Sequence, residues 1–587
     1  MEVTQSNFKD VLPDIEEGIK NCTFLSIDCE LTGLKTVSNY VNAFDTPKQY
    51  YQKVIKDCRE FLVIQYGITL FRFDESTDSF KHKSYNFYIF RKPMNKYIQD
   101  QRFLSQTTSI DFLINQGFDF NKLFKNGISY LNNCEEEKCR TFLEEQHRKR
   151  KESFSANTNR DIIPIPEENQ EFVNEIKNQL ERFLITDETE ISLPKCNAFV
   201  RRLIYQTNSQ FFADKISLET RQVERERILF AVKINSANPE DKNKVEQTKY
   251  DESVKKLEDF IGFSKVMRLI VESGKLIVGH NVLLDFLHTI DKFLTPLPDD
   301  YDEFKECASS LFSKVSDTKY MASSSPFKEF VSSTVLGDLM DRLGKTPFEI
   351  PQYELEDGAQ GYSLKDSKQH EAGYDSFITG LSFLAMWKFL GSKKKLLNKE
   401  IFGSDGFNLL NSYLNRICLM ILTDQQYLNL AGPDLNPSRD HVFYLSFPRE
   451  WNTNNLAQLF SPFGNVYISW ISETSAYVGL FKRDQAATAF KTLSQSETYH
   501  ILPFNKRQAQ LTGEKSEMLN QLKRTHRTDN SLQTKRRKID DNVSGNFSKS
   551  TKTVEVPRKT DDKEEIDETK SNKANKTKAF SECESWD

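Results

Sequence analysis

Near the start of the chain, TFLSIDCEL (23–31) reads as a β-strand that carries two carboxylates two positions apart, Asp28 and Glu30. Side chains alternate along a strand, so both carboxylates leave the same face. Asp is unfavourable inside so apolar a strand. Two like charges side by side are costly unless something neutralises them, and a divalent cation is the usual solution. Hard oxygen ligands with no Cys or His pairing favour Mg²⁺ or Mn²⁺. Taken alone, the pair also fits a solvated sheet edge. What separates the two readings is whether further carboxylates and a base belong to the same site.

Two later stretches supply candidates. In KLIVGHNVLLDFLH an apolar strand runs into Gly279-His280-Asn281, a strand, turn and helix N-cap, and Asp285 follows about one turn into the helix. An Asp within an apolar helical run wants a partner, although the polar face of an ordinary amphipathic helix would also hold it. In SLKDSKQHEAGYDSFITG, His370 and Asp375 are five apart. On one continuous helix that spacing is about 140° of rotation, so they would not share a face. If the helix begins around Gly373, His370 lies on the preceding loop and can fold back over Asp375, as a base beside a metal. A lone His-Asp pair is otherwise surface decoration.

The rest of the chain bounds these readings. Its 587 residues suggest about three or four domains. Lys+Arg number 80 and Asp+Glu 85, a formal charge of −5, which excludes a wholly basic nucleic-acid coat and a strongly acidic solvating protein. No run of 18 or more apolar residues occurs, so no transmembrane helix and no membrane partner are expected. The polar, acidic start does not read as a signal peptide. Nine scattered cysteines with no CxxC pair fit a reduced, intracellular protein. Residues 7–20 predict a short helix with Ser6 as N-cap, 60–73 and 84–90 predict strands, and 135–153 a charged helix. The two-proline loop RDIIPIPEEN marks a boundary. The helix SFITGLSFLAMWKFL (376–390) follows the His-Asp pair, and GPDLNPSRD (432–440) reads as a linker. Residues 511–587 are poor in aromatics and rich in charge, a composition that cannot bury enough surface to offset the entropy of ordering.

Asp-x-Glu on an early strand, Asp after a GHN turn and His-x4-Asp opening a late helix form an ordered series that resembles the DEDD exonuclease superfamily. His370, with Glu371 rather than Tyr at the alternative position, matches the histidine-bearing branch. SIDCELTGL, IVGHNVLLDFLHTID, SDTKYMASS and HEAGYDSFITG are similar to the poly(A)-specific ribonucleases, deadenylases of that superfamily. The resemblance covers roughly residues 1–510. It implies an α/β fold: an RNase H-like exonuclease domain with a mixed sheet and flanking helices (1–160 and 246–430). A small α/β single-strand-binding insert (168–245) interrupts it. An RNA-recognition-motif-like domain (440–510) and a disordered tail (511–587) follow.

By the same resemblance, Asp28, Glu30, Asp285 and Asp375 are metal-binding carboxylates for two divalent ions, Mg²⁺ or Mn²⁺. His370 is the general base, and the products are 5′ nucleoside monophosphates released from a 3′ end. Lys319 resembles a substrate-contacting position and is otherwise an exposed lysine. Leu31 stands where an aromatic is expected, which alters packing of the terminal base, and Cys29 replaces a small residue. The insert resembles an Arg-xxx-His domain, with Arg201, Arg202 and Tyr205 suited to phosphate contact and base stacking; Tyr205 stands where the His belongs.

In the third unit, Phe443 and Tyr477 fit the aromatic positions of an RNA-recognition motif, whereas Ser475 and Glu473 depart from it. In this family a tryptophan in the ISW context stacks on a 7-methylguanosine cap through cation–π attraction, which makes Trp470 either a cap-binding residue or core. Lys523, Arg524, Lys535, Arg536, Arg537 and Lys538 form two basic clusters that match a bipartite nuclear import signal or an RNA-contact arm.

The expectation is a deadenylase that releases 5′-AMP from poly(A) tails of mRNA, a homodimer located in nucleus and cytoplasm. Its rivals are a 3′ trimmer of small non-coding RNAs, expected to lack the third unit and to carry a membrane anchor, and a non-catalytic RNA- or cap-binding protein. The full set of four carboxylates plus His370 argues against the latter.

Overall fold

The computed structural model describes residues 1–511 and 513, apart from 37–40, 94–100, 156–162, 213–214, 224–225, 234–238 and 367. The two basic clusters of the tail lie outside the described residues. The chain forms two compact units. One comprises Met1–Asn39, Val54–Ser332 and Leu339–Ile417; the other comprises Tyr40–Lys53, Ser333–Asp338 and the chain from Cys418 onward.

The first unit begins with strand β1 (Glu2–Val3), a helix Phe8–Asn21, then β2 (Phe24–Leu31), β3 (Val63–Asp74) and β4 (Ser79–Tyr88). The N-cap position of the first helix is Asn7, which makes no side-chain cap bond, rather than Ser6, whose hydroxyl bonds that of Thr4. Two 23-residue helices, Asn133–Ser155 and Pro239–Ile261, flank the insert. The insert is a three-stranded sheet, β5 (Glu190–Ser192), β6 (Ile216–Val223) and β7 (Glu226–Lys233), in order β5-β7-β6. Helices Glu167–Ile185 and Ala198–Phe211 share a core with this sheet, built on Leu180, Ile204, Ile216 and Ala231. The chain then returns through β8 (Leu276–Gly279), β9 (Val315–Asp317) and β10 (Tyr353–Leu355).

The main sheet has seven strands in order β1-β4-β3-β2-β8-β9, with β10 on β4. β3 runs antiparallel to β2 and β4, whereas β2, β8 and β9 are parallel. Parallel strands put their carboxyl ends at one edge, the place where open α/β sheets carry their sites. Asp28, Glu30, the turn before Asp285 and the turn before Lys319 all lie at that edge. The helix Ala372–Lys393, buried almost all round, packs on the sheet. The approach is so close that a Cβ on Gly67 would meet the carbonyl oxygen of Ala372 at 1.8 Å. The helix start is pinned by sheet side chains. Gln65 Oε1 accepts from the Ala372 N–H at 2.9 Å, Asn86 Oδ1 accepts from the Gly373 N–H at 3.0 Å, and Ser26 donates to the Ser376 carbonyl at 2.6 Å.

The second unit contains a four-stranded antiparallel sheet, β11 (Val442–Ser446), β12 (Val466–Ser472), β13 (Ser475–Leu480) and β14 (His500–Pro503), in order β12-β13-β11-β14. Helices Thr453–Phe460 and Ala486–Leu493 cover one face over a core of Phe443, Leu445, Val478, Leu480, Leu456, Phe460 and Ala489. Phe443 therefore faces the helices, which corrects its expected place on an RNA-facing sheet. The strand is displaced by one residue from that expectation, and one residue moves a side chain to the other face. It is Tyr444 that sits directly opposite Tyr477.

Candidate active site and RNA-facing surfaces

β2 delivers Asp28 and Glu30 next to Gly67 and Gln65 of β3, the positions on which the Ala372–Lys393 helix seats its first turn. Asp375 thereby comes over the strand. His370 precedes the helix in a left-handed backbone conformation (φ 66°) and donates its N–H to Asp375 Oδ2 at 2.9 Å. The helix starts at Ala372, so His370 lies on the preceding loop and folds back, one of the two arrangements the spacing allowed. Glu30, His370 and Asp375 each offer a ligand atom, and these atoms lie within 4.8 Å of one another. Asp285, in the first turn of helix Leu283–Thr289, joins from the neighbouring strand connection, close enough for its charge to act on both Asp28 and Glu30.

Burial first, then the negative charges of Asp285, Asp375 and Glu30, push the Asp28 carboxyl far above the usual range. Burial and the charges of Asp375 and Asp285 do the same to Glu30. Burial lifts Asp285 to about 7, against hydrogen bonds that hold it down, the first from the Cys29 thiol. Glu30 is only 3 % exposed, and its Oε2 is buried with no hydrogen-bond partner. An orphaned buried carboxylate oxygen among mutually repelling carboxylates is unfavourable as it stands. All-oxygen donors with one adjacent imidazole fit a hard divalent cation.

Several supporting residues escaped the sequence reading. The Phe112 ring meets the His370 ring edge-on at 4.8 Å. Thr289 donates to the Asp285 carbonyl at 2.6 Å and is hydrogen-bonded to the Tyr66 hydroxyl at 2.8 Å, a chain that braces Asp285 from behind. The strand alternation that puts Asp28 and Glu30 on one face puts Cys29 and Tyr66 on the other. That alternation was the signal available for finding them.

The remaining expected contacts are spread more widely. Leu31 is 3 % exposed at a β-bulge beside Val63, and its side chain packs in the core. Lys319 is 5 % exposed, within the short helix Thr318–Ala322 that leaves β9, which corrects its reading as an exposed lysine. In the insert the expected trio divides. Arg201 turns back to donate to the Cys196 carbonyl at 3.3 Å, whereas Arg202 and Tyr205 stay exposed. Phe199, 43 % exposed and three residues before Arg202, extends that face as the spacing i, i+3, i+6 could have told. Trp470 is half-buried on β12, facing the helices, with its ring edge-on to Phe447 at 5.5 Å.

The opposite sheet face, where an RNA-recognition motif stacks bases, is filled by the chain itself. Phe44 and Phe504 pack with Val442, Tyr444 and Tyr477. A Cβ at Gly479 would meet the Phe44 ring at 2.8 Å, so glycine is what admits it. Arg507 lies over the Tyr444 ring at 4.7 Å. Arg439, 5 % exposed, donates to the Phe44 and Asp45 carbonyls and to both oxygens of Asp424.

A carboxylate-rich edge beside a histidine on a mixed sheet with flanking helices defines the class, a nuclease. A profile described as CAF1 family ribonuclease matches residues 3–383, and one described as RNA binding domain matches residues 432–510. The chain belongs to the CAF1 ribonuclease family. It is 41 % identical over 509 residues to the poly(A)-specific ribonuclease of Xenopus laevis, covering 85 % of this chain and 80 % of that protein. With the poly(A)-specific ribonuclease of Homo sapiens it shares 40 % over 527 residues, 88 % and 81 % of the two chains. The pre-piRNA 3′-exonuclease trimmer of Bombyx mori is more distant, 24 % identical over 520 residues, 86 % and 93 % of the two chains.

Proposed function

We propose that this chain is a 3′-to-5′ exoribonuclease that shortens poly(A) tails and releases 5′-AMP. The observation that carries the reading is the convergence of Glu30, His370 and Asp375, with Asp28 and Asp285 beside them, around the unpartnered Glu30 Oε2. Asp28, Glu30, Asp285 and Asp375 would hold two divalent ions. Bound there, such ions would supply activation of a water and stabilisation of the departing 3′ oxygen. His370 would take the proton of the attacking water, a role supported by its backbone N–H tied to Asp375 and its ring against Phe112. Kinship with poly(A)-specific ribonucleases supports adenine preference. The test is a digestion panel of 3′ homopolymer tails with and without Mg²⁺. Mg²⁺-dependent release of AMP from poly(A), well ahead of the other homopolymers, is expected; equal rates on all tails would remove the specificity.

Three further assignments belong to the same reading. Exposed Arg202, Tyr205 and Phe199 form a single-strand contact on the insert, with Lys319 contacting substrate at the sheet edge. Trp470 stacks on a methylated cap. The chain acts as a homodimer, for which Phe103 (38 % exposed), Ile114 (56 %) and Phe124 (50 %) offer apolar surface. The basic clusters of the tail support import into the nucleus alongside action in the cytoplasm.

A further inference from the structure

Of the four proposed metal-binding carboxylates, Asp285 is the one carried by the helix that follows β8. Its helix, Leu283–Thr289, is seven residues long. It is reached from β8 through the turn Gly279-His280-Asn281-Val282, in which Asn281 is left-handed with φ 55°. The helix runs on into Ile290–Leu294 and is tied behind Asp285 by Thr289 and Tyr66, so what remains to be set is the left-handed turn that feeds its first residues.

The turn is held from the neighbouring strand. Asp317 ends β9 opposite Gly279 and is 0 % exposed. Its carboxylate accepts from the Asn281 N–H at 3.0 Å and the Val282 N–H at 3.2 Å. It also accepts from the Lys319 N–H at 2.9 Å and the Tyr320 N–H at 3.3 Å. One buried side chain thus closes both turns at the carboxyl edge of the sheet, the one leading to Asp285 and the one carrying Lys319. Thr318 adds a second tie between them. Its hydroxyl donates to the Gly279 carbonyl at 3.1 Å and is bonded to His280 Nδ1 at 2.8 Å. The four N–H groups leave no orientation of an amide that serves as well, because an amide nitrogen would meet the Val282 N–H donor to donor.

We propose that Asp317 is the positioning residue of the metal site, a fifth carboxylate that binds no ion and sets the approach of Asp285. It fixes the left-handed turn through two backbone N–H groups. It also places a fixed negative charge near enough to be felt at Asp285, which raises the attraction of the cluster for cations. The inference rests on Asp285 being a metal ligand.

The test is a Mn²⁺ titration of the full-length protein without RNA, read by the paramagnetic resonance of free Mn²⁺ and by calorimetry. Asp317→Asn should weaken Mn²⁺ binding roughly tenfold, the lower end for residues that orient metal ligands. The half-saturating Mg²⁺ for AMP release should rise by a similar factor, with kcat recovering at excess metal. A variant that merely unfolds in part would lose sites without changing their affinity. Thr318→Val cuts the second tie and leaves the charge in place, so it decides the matter should Asp317→Asn fail to fold; a weakening of Mn²⁺ binding by up to about tenfold is expected, with half-saturating Mg²⁺ rising alike. Wild-type Mn²⁺ affinity in a folded Asp317→Asn protein overturns the proposal, as does wild-type affinity in Thr318→Val when the first variant cannot be made. Asp28→Ala serves as the control for the underlying reading, since it should lose Mn²⁺ whatever Asp317 does. Full Mn²⁺ binding in that control would retire the metal site and this proposal with it.

Discussion

The two large sheets of this protein treat their exposed chemistry in opposite ways. The seven-stranded sheet leaves its carboxyl edge unfinished, with crowded carboxylates and an oxygen of Glu30 that bonds nothing. The four-stranded sheet carries two tyrosines where single-stranded RNA is usually stacked, and then covers them with Phe44, Phe504 and Arg507. A frustrated surface is open to a ligand, whereas a satisfied one is architecture, whatever motif it carries. The difference places chemistry on the first sheet and makes the face of the second a packing surface.

The strongest way to break the comparison is Asp28→Ala. AMP release should fall by about 10³-fold or more, the scale on which a catalytic unit fails when one member is removed, while RNA binding persists; a wild-type rate would sink the site. Phe44→Ala attacks the other side. It should destabilise the C-terminal unit by about 3–5 kcal/mol, as for other buried Phe truncations. Scanning calorimetry should show an earlier transition, with RNA affinity unchanged; a loss of RNA affinity without a loss of stability would make that face a binding site after all. Replacing Trp470 with Ala should weaken binding to capped RNA by up to roughly thirtyfold relative to uncapped RNA, from a cation–π contact of about 2 kcal/mol. Equal losses for both would return the indole to the core.

Smaller effects sharpen the picture. Arg202→Ala should reduce the salt slope of RNA binding by about one and weaken affinity on all sequences alike, as for a phosphate contact. The carboxylate cluster also predicts a pH dependence. The Asp285 carboxyl is raised to about 7 in the folded protein, above its unfolded value of about 3.9. The stability it contributes is fully present below about pH 4 and is lost as pH rises through 7. Without divalent ions, the melting temperature should therefore drop between pH 5 and 8. With Mg²⁺ the order should reverse, because the ion favours the ionised cluster. A metal-independent profile would show that these carboxylates do not share an ion.

Much of the first sheet was legible in the sequence, because its signals are local. Alternation in FLSIDCEL fixed the shared face of Asp28 and Glu30. The GHN turn announced a strand ending above Asp285, and the spacing of His370 from Asp375 brings them together only when a helix starts between them. What was illegible depends on long-range contact or on a single step of register. Asp317 reads as an ordinary strand end until the GHN turn is seen beside it. Phe443 and Tyr444 are both aromatic and adjacent, and only the packed helices decide which faces in. Nothing around Phe44 announces that its ring belongs to strands some 400 residues away.

That separation has a consequence for how the molecule is made. The Phe44 carbonyl and Arg439 are 395 positions apart, which a ribosome moving at about 5–20 residues per second covers in roughly 20–80 s. Throughout that interval Tyr40–Lys53 has left the ribosome and its partner strands do not exist. The second unit thus combines a stretch made early, Tyr40–Lys53, with strands made last, and it closes only once both exist. A fragment begun at the linker would emerge with two tyrosines and the groove at Gly479 uncovered, prone to association. The whole chain carries its own cover, delivered early and kept in waiting.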